Sequence, residues 1–275
     1  MQPTSRDKSR QGFTLIEMLV IAPIVILAIG AFLAVILNLT GEVILSRASN
    51  NLAYDTQDTL SRIEQDVKQS AAFLSTNSFT VVTPQGSGNN TTKFTNIGGA
   101  NGASLILNMV ATTINPTQTG SRYVYLKDQP RTCAQAQDNT PLSYNVVYFI
   151  DSSGTLWRRV IMPTDYLTSG CSTPWQQPSC AVGYSATFCK TNDIKLISGV
   201  TNLTIDYYNG ASATSANTVA STESDAALRT TAMYSATTVQ VTVEASQDAA
   251  GRTASRSATL RATRLDVNAS SLAQP

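Results

Sequence analysis

The sequence predicts an α+β protein in which one long N-terminal helix packs on an antiparallel β-sheet domain. Three observations predict this fold. Residues 13–37 form an almost entirely apolar run, residues 38–77 continue with apolar side chains at helical spacing, and residues 78–275 consist of short β-rich segments separated by polar loops. Strands that follow one another without helix-length patterns between them are typical of antiparallel sheets. A chain of 275 residues is long enough to bury a hydrophobic core.

The first element is a short basic leader followed by a helix of membrane-spanning length. Residues 1–12 carry three basic side chains and one acidic side chain. The apolar run 13–37 has 25 residues. At ~1.5 Å per residue it extends about 37 Å, enough to cross a bilayer core of ~30 Å. Basic residues ahead of the run predict a cytoplasmic N-terminus and an extracytoplasmic remainder, so we expect a single-pass protein of the cytoplasmic membrane.

One acidic residue, Glu17, lies a single turn inside this apolar run. A charged side chain at the centre of a bilayer costs roughly 2.5–3.5 kcal/mol, and less near the interface. A removable secretory signal would have a shorter apolar region and a small-residue cleavage site. A plain membrane anchor explains the apolar run but gives Glu17 no role.

The stretch "GFTLIEMLV", residues 12–20, follows the basic leader. It resembles the N-terminal signal of type IV pilins and of type II secretion pseudopilins. The resemblance implies that a prepilin peptidase cleaves between Gly12 and Phe13 and N-methylates Phe13. The absent side chain of Gly12 lets the backbone lie extended in a protease cleft. Residues 1–12 would then be a cleaved leader.

In this family the glutamate at the position of Glu17 pairs with the new N-terminal amine of a neighbouring subunit, so the resemblance implies an assembly salt bridge for Glu17. Such a pair favours one specific arrangement of the two subunits, because leaving either charge unpaired in a low-dielectric environment costs free energy. Pro23 lies further along the run. It removes one helical hydrogen bond, so we expect a kink near it.

The second half of the helix is amphipathic, and we expect the helix to continue to about Ser75 within a helical region spanning residues 13–77. On the exposed sides we expect pairs at i,i+4 spacing, Asp58–Arg62, Arg62–Asp66 and Glu64–Lys68, each contributing a few tenths of a kcal/mol. The apolar residues recur at steps of mostly three and four; they are Leu52, Leu60, Ile63, Val67, Ala71 and Leu74.

Residues 78–275 are expected to form an extracytoplasmic β-rich domain. The turn "DSSG" at 151–154 predicts a β-hairpin, with Asp151 shaping the turn in preference to binding calcium. Two loops of low complexity, 84–103 and 210–227, are expected to be mobile. The predicted strands are 79–83, 104–110, 122–127, 144–151, 155–162, 194–198, 203–209, 237–245 and 257–266.

The chain contains four cysteines, Cys133, Cys171, Cys180 and Cys189. No two of them have the close C-x-x-C spacing that is typical of a zinc site. An even number of cysteines in an extracytoplasmic chain predicts disulfides. Four cysteines allow three possible pairings. We expect a disulfide loop at 163–193. The aromatic residues of this loop either cover the edge of the sheet, which we favour, or form a binding surface.

Composition excludes several classes of function. Histidine is absent, which removes His-dependent nucleophilic and metal sites. A net charge of +1 gives no basis for nucleic-acid binding. We therefore expect no enzyme activity, no cofactor and no metal. The order of strands over residues 140–267 resembles that of J-type minor pseudopilins and W-type minor pilins.

These resemblances imply a minor pilin or pseudopilin that initiates or caps a filament serving secretion, DNA uptake, adhesion or motility. Its expected partners are prepilin peptidase, other pilins or pseudopilins in the filament, and membrane lipid through residues 13–37. The alternatives are a pilus-tip adhesin and a plain membrane-anchored extracytoplasmic binding protein.

Overall fold

A computed structural model describes most of the chain. Gly12 and Phe13 lie outside the described residues, as does the whole leader, so the predicted cleavage site stays a prediction. The described residues are 14–81, 94–96, 103–127, 133–134, 140–184 and 187–265.

The long helix, α1, spans Leu15–Gln69 and continues without interruption through Pro23. The prediction that it reaches Ser75 is wrong. Ser70 adopts an extended backbone, and its hydroxyl donates to the carbonyl oxygen of Val67. The next residues turn into the sheet: the N–H of Ala71 donates to Asn108 O, and the N–H of Leu74 donates to Ile106 O. Ala71 and Leu74 therefore fit the helical spacing but pack as part of the sheet.

Ten strands and three further helices follow α1 in the described chain. The strands are β1 (Ala72–Phe73), β2 (Leu105–Val110), β3 (Ser143–Ile150), β4 (Leu156–Ile161), β5 (Ser179–Cys180), β6 (Thr191–Asn192), β7 (Ile194–Ile197), β8 (Val200–Tyr208), β9 (Thr238–Ala249) and β10 (Arg252–Thr263). The helices are α2 (Tyr166–Ser169), α3 (Thr218–Thr222) and α4 (Ala226–Ser235).

The strands form two main antiparallel sheets, which confirms the predicted α+β class. One sheet has the order β1-β2-β3-β4-β7, and the other has the order β10-β9-β8. A third pair, β5 and β6, is short and parallel. The predicted hairpin joins β3 to β4 through Gly154, whose positive φ of 73° suits glycine and whose N–H donates to Asp151 O.

Two of the predicted strands do not form among the described residues, and the strand predicted at 257–266 is instead β10, Arg252–Thr263, which begins five residues earlier. Residues 122–127 make only isolated bridges, with Tyr123 opposite Thr112 and Tyr125 opposite Pro141. Residues 79–81 form no strand, and 82–83 lie outside the described residues. The carbonyl oxygen of Phe79 accepts a hydrogen bond from the side-chain amide of Asn77, where a strand would accept one from a neighbouring strand.

The predicted mobile loop 210–227 instead leads into two helices. The side chain of Asn217 caps α3 by accepting from Ala220 N, and Asp225 caps α4 by accepting from the N–H groups of Ala227 and Leu228. Such side-chain caps satisfy backbone donors that a helix start leaves unpaired. Ala220 and Met233 are fully buried and fix both helices on the core. Most of the other predicted loop, 84–103, lies outside the described residues.

The core lies between the upper half of α1 and the two sheets. Leu52, Ile63 and Val67 of the helix are buried there, and Phe73 packs on Tyr207 with ring centroids 5.4 Å apart. Full burial of one such side chain contributes roughly 1.5–3 kcal/mol. The amphipathic stripe predicted for the helix is therefore confirmed as far as Val67.

The β9–β10 ribbon extends along α1. Twelve consecutive residue pairs join the two strands, from Thr238↔Thr263 to Ala249↔Arg252. At its upper end, Leu265 N donates to Lys68 O. At its turn, the Cβ of Ala250 lies 3.9 Å from the position that a Cβ on Gly41 would occupy. The ribbon thus follows the helix from about residue 68 down to residue 41.

Candidate functional site

The start of α1 holds Glu17 in an intrachain contact. Oε2 of Glu17 accepts hydrogen bonds from the backbone N–H of Thr14 at 2.9 Å and from its hydroxyl at 2.8 Å, while Thr14 Oγ1 accepts from Glu17 N at 3.3 Å. This reciprocal arrangement is a capping box. Glu17 therefore has a role within its own chain in addition to the assembly contact that the resemblance implies.

The first half of α1 is apolar and bare. Its residues from Leu15 to Thr40 are exposed, and the helix is long and apolar enough to cross a membrane once. No other part of the described chain covers these side chains. A large apolar surface would therefore be in contact with water unless lipid or a partner protein covered it. Exposed apolar patches of this size mark membrane or protein contacts.

The four cysteines form two disulfides, which confirms the predicted oxidised state. Of the three possible pairings, the structure contains Cys133–Cys171 and Cys180–Cys189. The first ties two distant segments, and the second closes a loop of nine residues in sequence separation. Both lie in the β-rich domain, consistent with an oxidising compartment for that domain.

A buried ion pair lies beneath the second disulfide. Arg159 on β4 is 1% exposed, and its guanidinium donates to Oδ2 of Asp193 from Nε at 2.9 Å and from Nη2 at 2.5 Å. The other carboxylate oxygen of Asp193 accepts from the Ser179 hydroxyl at 2.7 Å. Asp193 N also donates to Cys180 O. This network fixes the disulfide loop on the sheet.

The aromatic residues of the loop have different environments, and the expectation that all of them cover the sheet edge is not met by Trp175 and Tyr184, which stay exposed. Phe188 packs edge-on against Tyr166, with centroids 5.9 Å apart, and contacts the core. Trp175 is 52% exposed and Tyr184 is 43% exposed. The backbone of Trp175 is nevertheless held in place, because its N–H donates to Thr112 O at 2.7 Å.

Trp175 borders a groove between the end of α1 and the first sheet. Two adjoining cavities of about 700 Å³ each share Gln69, Met109, Pro116, Tyr144 and Gln176. The remaining side chains of the groove are mainly aromatic, amide-bearing or charged: Arg62, Gln65, Asp66, Asn115, Arg122, Tyr123, Tyr125, Arg158, Trp175 and Gln177. Aromatic faces combined with convergent polar groups are typical of ligand sites.

One wall of the groove contains a second ion pair, which corrects the prediction that Asp66 belongs to a solvated charge row. Arg158 donates to both oxygens of Asp66, from Nε at 2.6 Å and from Nη2 at 3.2 Å. Tyr148 OH donates to Asp66 Oδ2 at 2.5 Å. Burial, followed by the negative charge of Asp66, raises the pKa of Tyr148. Of the three predicted helical pairs, Glu64–Lys68 alone forms a salt bridge, at 2.6 Å, within the described residues.

Asp151 has the turn-forming role that the sequence predicts. Its Oδ1 accepts from the N–H and hydroxyl of Ser153 and from Thr155 N, and its Oδ2 accepts from the indole N–H of Trp157. Partial burial acts to raise the pKa of Asp151, but these hydrogen bonds outweigh it and lower the pKa. Its oxygens are occupied by the chain itself. No metal-binding cluster of three or more Cys, Asp or Glu side chains occurs among the described residues.

Comparison with known proteins gives no further evidence, because no protein-family model and no curated protein matches this chain.

Proposed function

We propose that the chain is a minor pilin or pseudopilin, a structural subunit that helps initiate or cap a type IV pilus-like filament. The observation that carries the proposal is the stretch of residues 12–20, which follows a basic leader and opens the exposed apolar helix α1. The β-rich domain at the upper end of the same helix gives the shape that this class of subunit requires.

The capping box supports a specific chemical role for Glu17. Cleavage after Gly12 would place a new amine on Phe13, one residue before Thr14, and Thr14 already donates to Oε2 of Glu17. Oε1 has no hydrogen-bond partner within the described chain. In the filament, Oε1 accepts from the methylated amine of a neighbouring subunit. The intrachain cap and the intersubunit pair are therefore compatible.

The proposed orientation places the leader in the cytoplasm and the β-rich domain outside. Prepilin peptidase acts on the leader at the membrane, and the subunit then leaves lipid for the filament. The size of the domain favours a minor position, because a bulky domain packs poorly along a filament shaft. A place at the end of the filament avoids that crowding.

Co-expression with an active prepilin peptidase tests the proposal. The expected product begins at Phe13, is lighter by the mass of residues 1–12, and carries a methylated amine by mass spectrometry. A peptidase with an inactivated catalytic site and a Gly12→Val variant serve as controls, and both should leave the chain at full length. A chain that keeps Met1 beside the active peptidase would instead support the plain membrane anchor.

A second candidate function, a filament-tip adhesin, is favoured by the groove beside Trp175. We expect Trp175→Ala to reduce attachment of filament-bearing cells several-fold while filament number stays unchanged, because the indole is the most exposed aromatic face at the groove. Tyr184→Ala is the matched control, since Tyr184 is an exposed aromatic of the same loop but does not line the groove. Equal attachment by both variants and the parent would exclude the groove as an adhesive site.

A further inference from the structure

We propose that the turn of the β9–β10 ribbon, residues 248–253, lies in the headgroup layer of the membrane that α1 spans, with Arg252 bound to lipid phosphate. The inference rests on the membrane span in the proposed function. It adds a second point of contact between the protein and the lipid, remote in sequence from the helix.

The ribbon and the part of α1 beside it have matching lengths. From residue 41 to residue 68 the helix rises about 40 Å at ~1.5 Å per residue. The ribbon crosses a similar distance, since its twelve residue pairs extend about 40 Å at ~3.3 Å per residue. The two observed end contacts, Leu265 with Lys68 and Ala250 with Gly41, agree with these lengths. The turn therefore reaches the level of Gly41.

The level of Gly41 lies just beyond the end of the apolar run. The apolar run ends at Leu37, four residues before Gly41, so the turn lies about 6 Å beyond its end at ~1.5 Å per residue. The headgroup region adds roughly 5–8 Å to each side of the hydrocarbon core. Apolar residues also remain exposed on the helix at this level: Val43 is 51% exposed and Ile44 is 44% exposed. The turn thus falls within the headgroup layer.

An exposed arginine flanks the turn of the ribbon. Arg252, the first residue after the turn, is exposed and makes no salt bridge within the described chain. The acidic residue of the turn, Asp248, accepts a hydrogen bond from the Thr253 hydroxyl at 2.6 Å. Glu42 of the helix is also exposed at this height, so the surface has mixed charge. A guanidinium is well suited to phosphate because it donates two parallel hydrogen bonds.

The turn itself has an unusual composition. Ala250 and Gly251 have φ values of 52° and 73°, as a two-residue hairpin turn with two positive φ angles requires. Asparagine or glycine is the relaxed choice at the first of these positions, whereas alanine there costs about 1 kcal/mol or more. Alanine places a methyl group against Gly41 without adding a polar side chain to the interface. A small apolar turn flanked by an arginine suits the boundary between lipid tails and phosphates.

Tryptophan fluorescence of the full chain in vesicles tests this inference. The vesicles contain phosphatidylcholine and phosphatidylglycerol brominated close to the headgroup, because bromine quenches nearby indoles. Probes are added singly as Gln247→Trp beside the turn, Ser257→Trp higher on β10 and Leu33→Trp inside the apolar run. All three positions are exposed, and the native Trp157 and Trp175 lie in the globular domain and give a constant background.

The expected result is loss of most of the added emission at position 33, a smaller loss at 247, which lies about 10 Å up the strand from the tip of the turn at ~3.3 Å per residue, and no loss at 257. Quenching at 33 but not at 247 would overturn the headgroup contact and leave the proposed function intact. No quenching at 33 would overturn the membrane span, and with it both proposals.

In the Gln247→Trp chain, Arg252→Glu should reduce the quenching, whereas Arg256→Glu should not. Arg256 is the matched control because it is exposed on the same strand, about 13 Å further from the turn at ~3.3 Å per residue. Equal quenching in these two variants would exclude a phosphate contact by Arg252.

Discussion

Arg159→Met is expected to lower the free energy of unfolding by about 3–5 kcal/mol, because it leaves the carboxylate of Asp193 buried without its cationic partner. Within the described chain, the remaining hydrogen bond to the Asp193 carboxylate comes from the Ser179 hydroxyl, which cannot neutralise the charge. The guanidinium also lies over the ring of Phe149, 5.2 Å from its centroid, so its removal loosens the packing beneath the disulfide loop. Denaturant unfolding of the full chain in detergent, followed by fluorescence of Trp157 and Trp175, measures the effect.

Two further variants make this prediction specific. Lys68→Ala breaks the exposed Lys68–Glu64 pair, whose side chains are 45% and 38% exposed, and should cost about 1 kcal/mol or less. Adding Asp193→Asn to Arg159→Met should recover part of the loss, because the buried charge is then removed while an acceptor for Ser179 remains. If Arg159→Met costs no more than Lys68→Ala, the buried pair does not hold the loop.

Glu17→Gln is expected to leave peptidase cleavage intact and to reduce incorporation into filaments at least about tenfold, since an unpaired charge in a low dielectric costs several kcal/mol. Glutamine still accepts hydrogen bonds from Thr14, so the cap is largely kept while the negative charge is lost. Quantitative immunoblots of sheared filaments and of the membrane fraction measure the incorporated share.

The Thr14→Ala variant distinguishes a role of Glu17 in filament assembly from its role in the helix cap. It removes the hydroxyl that pairs with Glu17 in the capping box but keeps the carboxylate. If Glu17 acts between subunits, Thr14→Ala assembles nearly normally and Glu17→Gln does not. Equal incorporation of both variants at the parental level would rule out the intersubunit role. An equal defect in both would mean that the helix cap is what assembly requires.

Local sequence patterns were sufficient for most of the fold. The strands β3 and β9 are rich in β-branched and aromatic residues, so the sequence predicts both ends of β3 and the start of β9 to within one residue. The last four residues of β9, Ser246 to Ala249, lack this character and fall outside the predicted strand. The end of α1 was misplaced because Ala71 and Leu74 suit a helix and a strand alike. Hydrogen bonds to β2, more than thirty residues further along the chain, decide between the two.

The polar partners of the candidate site were less predictable. Asp66 was assigned to Arg62 by helical spacing, but it binds Arg158, which is 92 residues distant in sequence. Neighbouring side chains of a strand point to opposite faces, so Arg158 binds Asp66 on one face of β4 and Arg159 binds Asp193 on the other. The sequence pattern does not predict ion pairs between residues that are this far apart in the chain. The capping box is different, because Thr14 and Glu17 form the local signature S/T-x-x-E; the sequence contains this signal, although the family resemblance assigns Glu17 to assembly alone.

The ribbon along α1 divides the helix into a bare portion and a sheathed portion. The bare residues 15–40 extend about 40 Å at ~1.5 Å per residue, and beyond Gly41 the strands occupy one side of the helix. A neighbouring subunit that packs helix against helix therefore has free access from every direction only along the bare portion. In the filament that we propose, the ribbon would therefore limit how far along α1 neighbouring helices can surround this subunit.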